Sequence, residues 1–292
     1  MTTQAHRFSV SGGLTLVGDV GGDPAAPPVI LMHGGGQTRH SWGLATEVLV
    51  KSGYRVVNLD ARGHGESDWS ADGDYSIAAM ASDLSTVIDT LSAPPVLIGA
   101  SMGGATSLFY TGHADKSRVR ALVLVDIVPK INAGGAKRIR AFMRAYPKGF
   151  ATLEEASDAV AEYYPERPRP RDSNGLMKNL RRREDGRFHW HWDPRFVASP
   201  ERAEPPQFAT KLQQAAHGVR QPVLLVQGMS SDIVSVEGVA DLKQQIPHLE
   251  VYEVANAGHM VAGDKNDAFN EGIIRFLQRC HPPLVTAQIG QQ

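Results

Sequence analysis

The sequence predicts an α/β fold with a mainly parallel sheet, and three observations lead to this prediction. Short runs rich in Val, Ile and Leu alternate with segments of helical pattern along most of the 292 residues, which is typical of a parallel sheet covered on both faces. One run leads directly into a Gly-x-Ser-x-Gly turn at 99–103. The alternation stops between Asp126 and Pro222, where prolines and amphipathic helical pieces replace buried strands. We therefore expect a core with one insertion.

The N-terminal segments are predicted to form an edge of the sheet and then a glycine-rich loop. Segments around Phe8 and over 14–20 read as an antiparallel pair joined at Ser11-Gly12-Gly13. The next strand ends in His33-Gly34-Gly35-Gly36, where glycines let a backbone N–H approach a substrate. A phosphate loop is the alternative, but the segment lacks a Gly-Lys-Ser/Thr ending and Gly-x-Gly-x-x-Gly spacing.

The turn at 99–103 presents Ser101 between an apolar strand and a helix-like segment. Gly99 and Gly103 allow such a sharp turn to close, and the serine hydroxyl is then exposed. A tight turn without chemistry would look the same, so a base, an acid and a site for negative charge must be found elsewhere. The amide of Met102, which begins the helix, and that of Gly35, with Gly36 as the next candidate, are expected to form an oxyanion hole.

The base and the acid are expected after later strands. His259 follows the strand-like segment 250–255 and precedes a final helix over about 264–279. Asp232 follows the apolar run that begins at Pro222, and Asp126 follows the run 121–125. Both carboxylates satisfy the order serine, acid, histidine. We expect Asp232 to orient His259, and Asp126 is the alternative acid.

Taken together, these segments resemble the α/β-hydrolase family over about residues 5–280. The resemblance implies a mostly parallel eight-stranded sheet with helices on both faces and a helical cap inserted after strand six. The family carries its acid after strand seven or, in some members, after strand six. Residues 54–67 look like strand four and the arginine-glycine loop after it, in which we interpret Asp60, Arg62 and His64 as structural. The expected domains are a core over 1–129 and 218–280, a cap over 130–217, and a flexible tail over 281–292.

The expected cap holds more basic than acidic residues and one aromatic run, 188–196. Alternation along this run places Trp190 and Trp192 on one face and His189 and His191 on the other. We expect Gly36, Trp190 and Trp192 to line an acyl pocket, although the tryptophans could instead form a small core of the cap. The two histidines do not predict a metal, because no Cys or carboxylate cluster stands nearby to complete a site. The basic run Leu180–Arg187 is interpreted as an exposed helix end.

Composition excludes several classes of partner. A formal net charge of −1 shows no overall basicity of the kind that indicates nucleic-acid binding, and no apolar run approaches the length needed to span a bilayer. The single cysteine, Cys280, and an N-terminal stretch without an apolar signal region favour a cytoplasmic protein.

The sequence therefore predicts a serine hydrolase that cleaves an ester or related acyl bond of a small molecule, without a metal or organic cofactor. Two alternatives use the same residues: a cofactor-free perhydrolase (haloperoxidase) and a C–C bond hydrolase. A non-catalytic ligand-binding protein is a further alternative, which reaction of Ser101 with a fluorophosphonate would exclude. Epoxide hydrolase and haloalkane dehalogenase activities are not expected, because a serine nucleophile would form an ether that water cannot cleave.

Overall fold

The structure is a computed structural model that describes residues 3–165, 172–198, 205–261 and 266–283. Its strands are β1 (Gln4–Ser9), β2 (Thr15–Gly21), β3 (Pro28–Met32), β4 (Arg55–Leu59), β5 (Val96–Ala100), β6 (Ala121–Val125), β7 (Leu180–Arg182), β8 (Phe188–Trp190), β9 (Val223–Gly228) and β10 (Leu249–Val254). Eight of them form one sheet in the order β1-β2-β4-β3-β5-β6-β9-β10. The six strands from β4 to β10 in this order are parallel, and β2 is antiparallel to β1 and β4. The predicted sheet and its antiparallel edge are confirmed.

Helices cover both faces of this sheet. In chain order they are α1 (Gly43–Lys51), α2 (Ile77–Asp89), α3 (Met102–His113), α4 (Ala133–Arg144), α5 (Leu153–Tyr163), α6 (Pro194–Ala198), α7 (Pro205–Gly218), α8 (Val236–Gln245) and α9 (Asn266–Cys280). Short 3₁₀ turns lie at Ser11–Gly13, Arg39–Trp42, Lys116–Arg118 and Ser173–Asn179.

The core has two layers because alternate strand residues face opposite sides of the sheet. Ile30, Leu97 and Leu122 are fully buried and pack with residues of α2, α3, α7 and α8. Their chain neighbours, such as Val29, belong to a second buried cluster with residues of α1 and α9. Strands buried on both faces explain why the sequence shows continuous apolar runs rather than an alternating pattern.

The segment between β6 and β9 leaves the sheet, as predicted, but it is not purely helical. Besides α4, α5 and α6 it contains the antiparallel hairpin β7–β8. Gly186 lies in the hairpin turn with φ +75°, a conformation that glycine adopts without steric cost. The basic run Leu180–Arg187 is therefore a strand and its turn, and the interpretation as a helix end is wrong. This segment forms a strand because it pairs with β8. The pairing is not apparent from the local sequence.

Helix α7 returns to the core before β9 begins. A Cβ added to Gly112 of α3 would lie 2.1 Å from the carbonyl oxygen of Ala215 in α7, so the two helix backbones are in direct contact. Leu212 and Ala216 of α7 are buried in the core cluster. This packing favours placing α7 with the core, so we propose that the cap ends before α7 rather than at the predicted residue 217. The remaining insertion, over 130–198, is called the cap below.

The aromatic residues of the cap form a third buried cluster. Trp190 and Trp192 stack with ring centroids 5.0 Å apart and an interplanar angle of 10°. Phe150 packs edge-on against Trp190 at 5.2 Å, and Phe196 is buried in the same cluster. Two of the segments with sequence predictions, residues 262–265 at the start of the final helix and 284–292 of the expected tail, lie outside the described residues. In the part of the chain that is described, no helix is long and apolar enough to cross a membrane.

Candidate active site

Ser101 occupies a strained turn between β5 and α3. Its backbone has φ 45° and ψ −109°, a region that residues other than glycine rarely adopt. The turn closes only because its flanking residues lack side chains: a Cβ on Gly103 would lie 2.3 Å from the Met32 carbonyl oxygen, and one on Gly99 would lie 2.4 Å from Gly103. The predicted strand-to-helix turn is present, and it places Ser101 on the floor of a cavity under the cap.

His259 lies in the loop after β10 and lines the same cavity as Ser101. Its Nδ1 is 2.7 Å from Oδ2 of Asp126, and 14% of its side chain is exposed. The carboxylate is fully buried, so the imidazole edge that carries Nδ1 is held against it. Nε2 is then the ring nitrogen left for a proton acceptor role.

Asp126 rather than Asp232 contacts His259, which corrects the expected assignment. The backbone N–H of Asp126 donates to the Val226 carbonyl, which places this residue at the carboxyl ends of both β6 and β9. Oδ1 accepts from the Gly228 N–H at 3.0 Å, and Oδ2 accepts from the Ser231 hydroxyl. These donors compensate the burial of a charged carboxylate.

Asp232 points away from the histidine. Its carboxylate pairs with Arg138 of α4 at 2.8 Å, and 34% of the aspartate side chain is exposed. The chain after β9 turns at Ser231, whose hydroxyl accepts the backbone N–H groups of Ile233 and Val234. This turn brings Asp232 against the first residues of α4, so its contact is with the cap. One local feature of Asp126 is unusual, namely a positive φ of 50°, but the sequence gives no sign of it.

The glycine loop after β3 lies beside the serine. A Cβ on Gly34 would be 3.5 Å from Cβ of Ser101, and one on Gly35 would be 3.9 Å from Cβ of Met102. Within the described residues, the N–H groups of Gly35 and Met102 have no hydrogen-bond acceptor. The Gly36 N–H, in contrast, donates to Nε2 of His64 at 3.2 Å. The geometry therefore favours Gly35 over Gly36 as the first donor.

Gly36 is held by two buried histidines, one of which belongs to the cap. His64 accepts the Gly36 N–H, and Nε2–H of His191 donates to the Gly36 carbonyl at 3.3 Å. Nδ1 of His191 accepts the Gly65 N–H at 2.7 Å, so this ring must be neutral. Burial lowers the pKa of His191 to about 3, with a smaller contribution from His33. This geometry supports the predicted structural role of His64, whereas the contact of His191 with the glycine loop has no local signal in the sequence.

Gln37 is a further residue of the site, and no motif in the sequence marks it. Its Oε1 accepts the Gly34 N–H at 2.9 Å, and its Nε2 lies 2.8 Å from the sulfur of Met260, next to His259. This side chain therefore links the glycine loop to the histidine loop. Arg62, interpreted as structural, makes a buried ion pair with Asp83 at 2.6 Å.

The cavity above Ser101 has a volume of about 450 Å³. Gly36, Trp190 and Trp192 line it, as expected for pocket residues. Both tryptophans are also part of the buried aromatic cluster of the cap. The two interpretations of these residues are therefore compatible, because the core of the cap forms the roof of the cavity.

His189 and His191 contact different parts of the protein and do not face a common position for a metal ion. Nε2 of His189 lies 2.8 Å from a carboxylate oxygen of Asp185 in the hairpin turn, whereas His191 faces Gly36 and Gly65. Among the residues that the structure describes, no group of three or more His, Cys, Asp or Glu side chains is arranged to hold a metal ion.

Comparison with known proteins identifies the family. The family model described as the alpha/beta hydrolase fold matches residues 27–265. The chain belongs to the α/β-hydrolase fold family. A 3-hydroxybutyrate-oligomer hydrolase of Cupriavidus necator is 30% identical over 250 residues, which is 82% of this chain and 84% of that protein. An esterase of Mycobacterium tuberculosis, Rv0045c, is 29% identical over 85% of this chain and 81% of its own length.

Solved structures agree with this assignment. The crystal structure of E-2-(acetamidomethylene)succinate hydrolase superposes with a TM-score of 0.82 at 23% identity, over 94% of this chain and 99% of that one. At this identity it supports the fold alone. The Rv0045c esterase superposes with a TM-score of 0.74 at 26% identity, over 95% of this chain and 93% of that one. The names of the relatives support a hydrolase of ester bonds.

Proposed function

We propose that this protein is a serine hydrolase that cleaves esters of small molecules through an acyl-enzyme. The observation that carries the proposal is the 2.7 Å contact between His259 Nδ1 and the buried carboxylate of Asp126, in a cavity that Ser101 also lines. A histidine held in this way keeps its Nε2 free to accept a proton. The strained turn at Ser101 and the adjacent amides of Gly35 and Met102 supply the remaining parts of the same chemistry.

Acylation begins when the Ser101 oxygen attacks the ester carbonyl and Nε2 of His259 takes the hydroxyl proton. Asp126 holds the Nδ1–H tautomer and stabilises the imidazolium that forms. The carbonyl oxygen becomes an oxyanion, to which the N–H groups of Gly35 and Met102 donate. The positive end of the α3 dipole lies beside the Met102 N–H and adds to this stabilisation. The bond to the alcohol breaks, and His259 returns the proton to the leaving oxygen.

Deacylation repeats these steps with water in place of the serine hydroxyl. Nε2 of His259 takes a proton from water, the hydroxide attacks the acyl carbonyl, and the same amides hold the second oxyanion. The bond to Ser101 then breaks and the serine oxygen receives the proton. Each donor is fixed by the backbone, so no reorganisation is needed when the charge develops.

Substrates are expected to place an apolar acyl group against the aromatic roof of the cavity. A panel of 4-nitrophenyl esters of increasing chain length tests this expectation, and a dimer of 3-hydroxybutyrate belongs in the panel because a relative is named for that substrate. Adding hydrogen peroxide or a dienone diketo acid to the assay tests the perhydrolase and C–C hydrolase alternatives.

The decisive experiment is labelling with a fluorophosphonate, followed by turnover of the best ester. We expect the wild-type protein to label at Ser101 and the folded Ser101→Ala variant to lose about 10⁶-fold in kcat, with a residual rate from the oxyanion hole and binding. The circular dichroism spectrum of Ser101→Ala should be unchanged. Undiminished ester hydrolysis by that variant would refute the proposal.

A further inference from the structure

Helix α4 turns one arginine, Arg140, toward the cavity that contains Ser101. Residues three or four apart share a face of a helix, and the face of Arg140 includes the buried residues Ala136 and Met143. Arg140 itself is partly buried and lines the cavity together with Met143 and Ser101. A cation on the inward face of a cap helix departs from the amphipathic pattern, in which charged side chains occupy the solvent face.

Arg140 differs from the other two arginines of α4 in having no protein partner within the described residues. Arg138 is more exposed and pairs with Asp232 at 2.8 Å. Arg144 donates to the Val197 carbonyl at 3.1 Å. The guanidinium of Arg140 therefore keeps its planar set of N–H donors for a group that enters the cavity, and a carboxylate is one anion whose geometry matches this fork.

The charge of the cavity favours the same kind of ligand. Among the described residues that line it, none is Asp or Glu, whereas Lys178 stands exposed at its edge. An unneutralised cationic wall raises the local concentration of anionic substrates.

We propose that Arg140 binds a carboxylate of the substrate, so that the enzyme prefers esters that carry a carboxylate over their neutral analogues. This inference rests on the serine hydrolase function proposed above. Cε of Met143 would lie 3.1 Å from a Cβ on Gly36, so α4 crosses over the glycine loop at that residue. Three residues of helix displace Arg140 from Met143 by about 4.5 Å along the axis. Arg140 is thereby placed within one helical turn of Met143, the α4 residue that packs over Gly36.

Two matched pairs of substrates test the proposal and locate the charge. The first pair is mono-4-nitrophenyl adipate and the analogue in which its carboxylate is a primary carboxamide, so the charge lies in the acyl group. The second pair is 4-carboxyphenyl butyrate and 4-carbamoylphenyl butyrate, so the charge lies in the leaving group. Spontaneous hydrolysis is subtracted for each compound. In at least one pair, wild-type kcat/KM should favour the carboxylate by about tenfold or more.

The matched variants are Arg140→Gln and Lys137→Gln. Both remove one positive charge from α4, but Lys137 is exposed and does not line the cavity. Arg140→Gln should reduce the carboxylate-to-carboxamide ratio of kcat/KM to near unity, mainly through a higher KM for the anionic ester. Lys137→Gln should leave that ratio within about twofold of wild type, because exposed charges are screened. Arg140→Lys should give an intermediate ratio, since an ammonium lacks the bidentate fork.

The outcomes separate this proposal from the function on which it rests. If both pairs are hydrolysed without preference for the carboxylate, or if Arg140→Gln leaves the wild-type ratio intact, the anion site is refuted and the hydrolase function stands. If no ester is hydrolysed, binding of adipamate, measured by saturation-transfer NMR, decides the site by itself. Weaker binding to Arg140→Gln than to Lys137→Gln supports it, and equal or absent binding overturns it.

Discussion

Replacing the buried acid Asp126 with Asn should remove most of the activity without changing the geometry of the site. In Asp126→Asn, the side chain faces three donors: the Gly228 N–H, the Ser231 hydroxyl and the Nδ1–H of His259. An amide has one oxygen to offer. If that oxygen accepts from Gly228, the amide NH₂ points at His259 and requires Nδ1 to be an acceptor. The ring then carries its proton on Nε2 and cannot accept one from Ser101.

The opposite amide orientation is disfavoured by the backbone. It would place the NH₂ against the Gly228 N–H, so that two buried donors face one another, at a cost of about 1–3 kcal/mol. The inactive tautomer should therefore predominate. An Asp→Asn change in a comparable triad lowers kcat about 10⁴-fold, which corresponds to about 5.5 kcal/mol of lost transition-state stabilisation.

Asp232→Asn is the matched control, since it makes the same chemical change after β9, the strand next to β6. Its ion pair with Arg138 is partly solvent-exposed, and ion pairs near the surface contribute about 0–1 kcal/mol. We expect its kcat to stay within about threefold of wild type. Both variants are assayed with the best 4-nitrophenyl ester, and their melting temperatures are measured in parallel.

The assignment of Asp126 as the acid would be refuted if Asp232→Asn caused the large loss of kcat and Asp126→Asn the small one. Large losses in both variants would also contradict it, because the structure gives Asp232 no contact with His259. A loss in Asp126→Asn that is accompanied by unfolding would be resolved by the fluorophosphonate labelling rate at a temperature where the variant is folded.

Two further predictions concern stability. Gly103→Ala should be destabilised by several kcal/mol and fail to label with fluorophosphonate, because the new Cβ would lie 2.3 Å from the Met32 carbonyl oxygen. The control Gly175→Ala has open space around the new methyl group and should show a normal thermal melt. Wild type should lose up to about 2 kcal/mol between pH 6.5 and pH 5 from His191, because the unfolded chain binds a proton there that the folded chain, with a pKa of about 3, does not. Urea titrations at the two pH values measure this loss in the free energy of unfolding. The loss should be smaller in His191→Gln than in wild type and the same as wild type in the control His189→Gln. An unchanged loss in His191→Gln would show that this histidine does not cause the effect.

Local features of this site were predictable from the sequence because they depend on backbone conformation. A serine between two glycines at the end of an apolar strand defines the sharp turn at Ser101, and the steric limits at Gly103 come from atoms that any such turn brings together. The glycine loop at Gly35 and the position of His259 after the last strand follow from the same order of strands and turns. The composition of the strands likewise predicted a sheet buried on both faces.

Long-range packing determines which carboxylate contacts His259, which cap residue contacts the glycine loop and which helix packs against α3. Asp126 and Asp232 both follow buried strands, and the sequence cannot show that the chain after β9 turns Asp232 toward Arg138. The contact between His191 and Gly36 joins residues 155 positions apart. The assignment of α7 to the core likewise depends on close packing against α3, at Gly112. Each of these contacts depends on long-range packing. The local sequence pattern is compatible with more than one tertiary arrangement of the same residues and therefore cannot predict it.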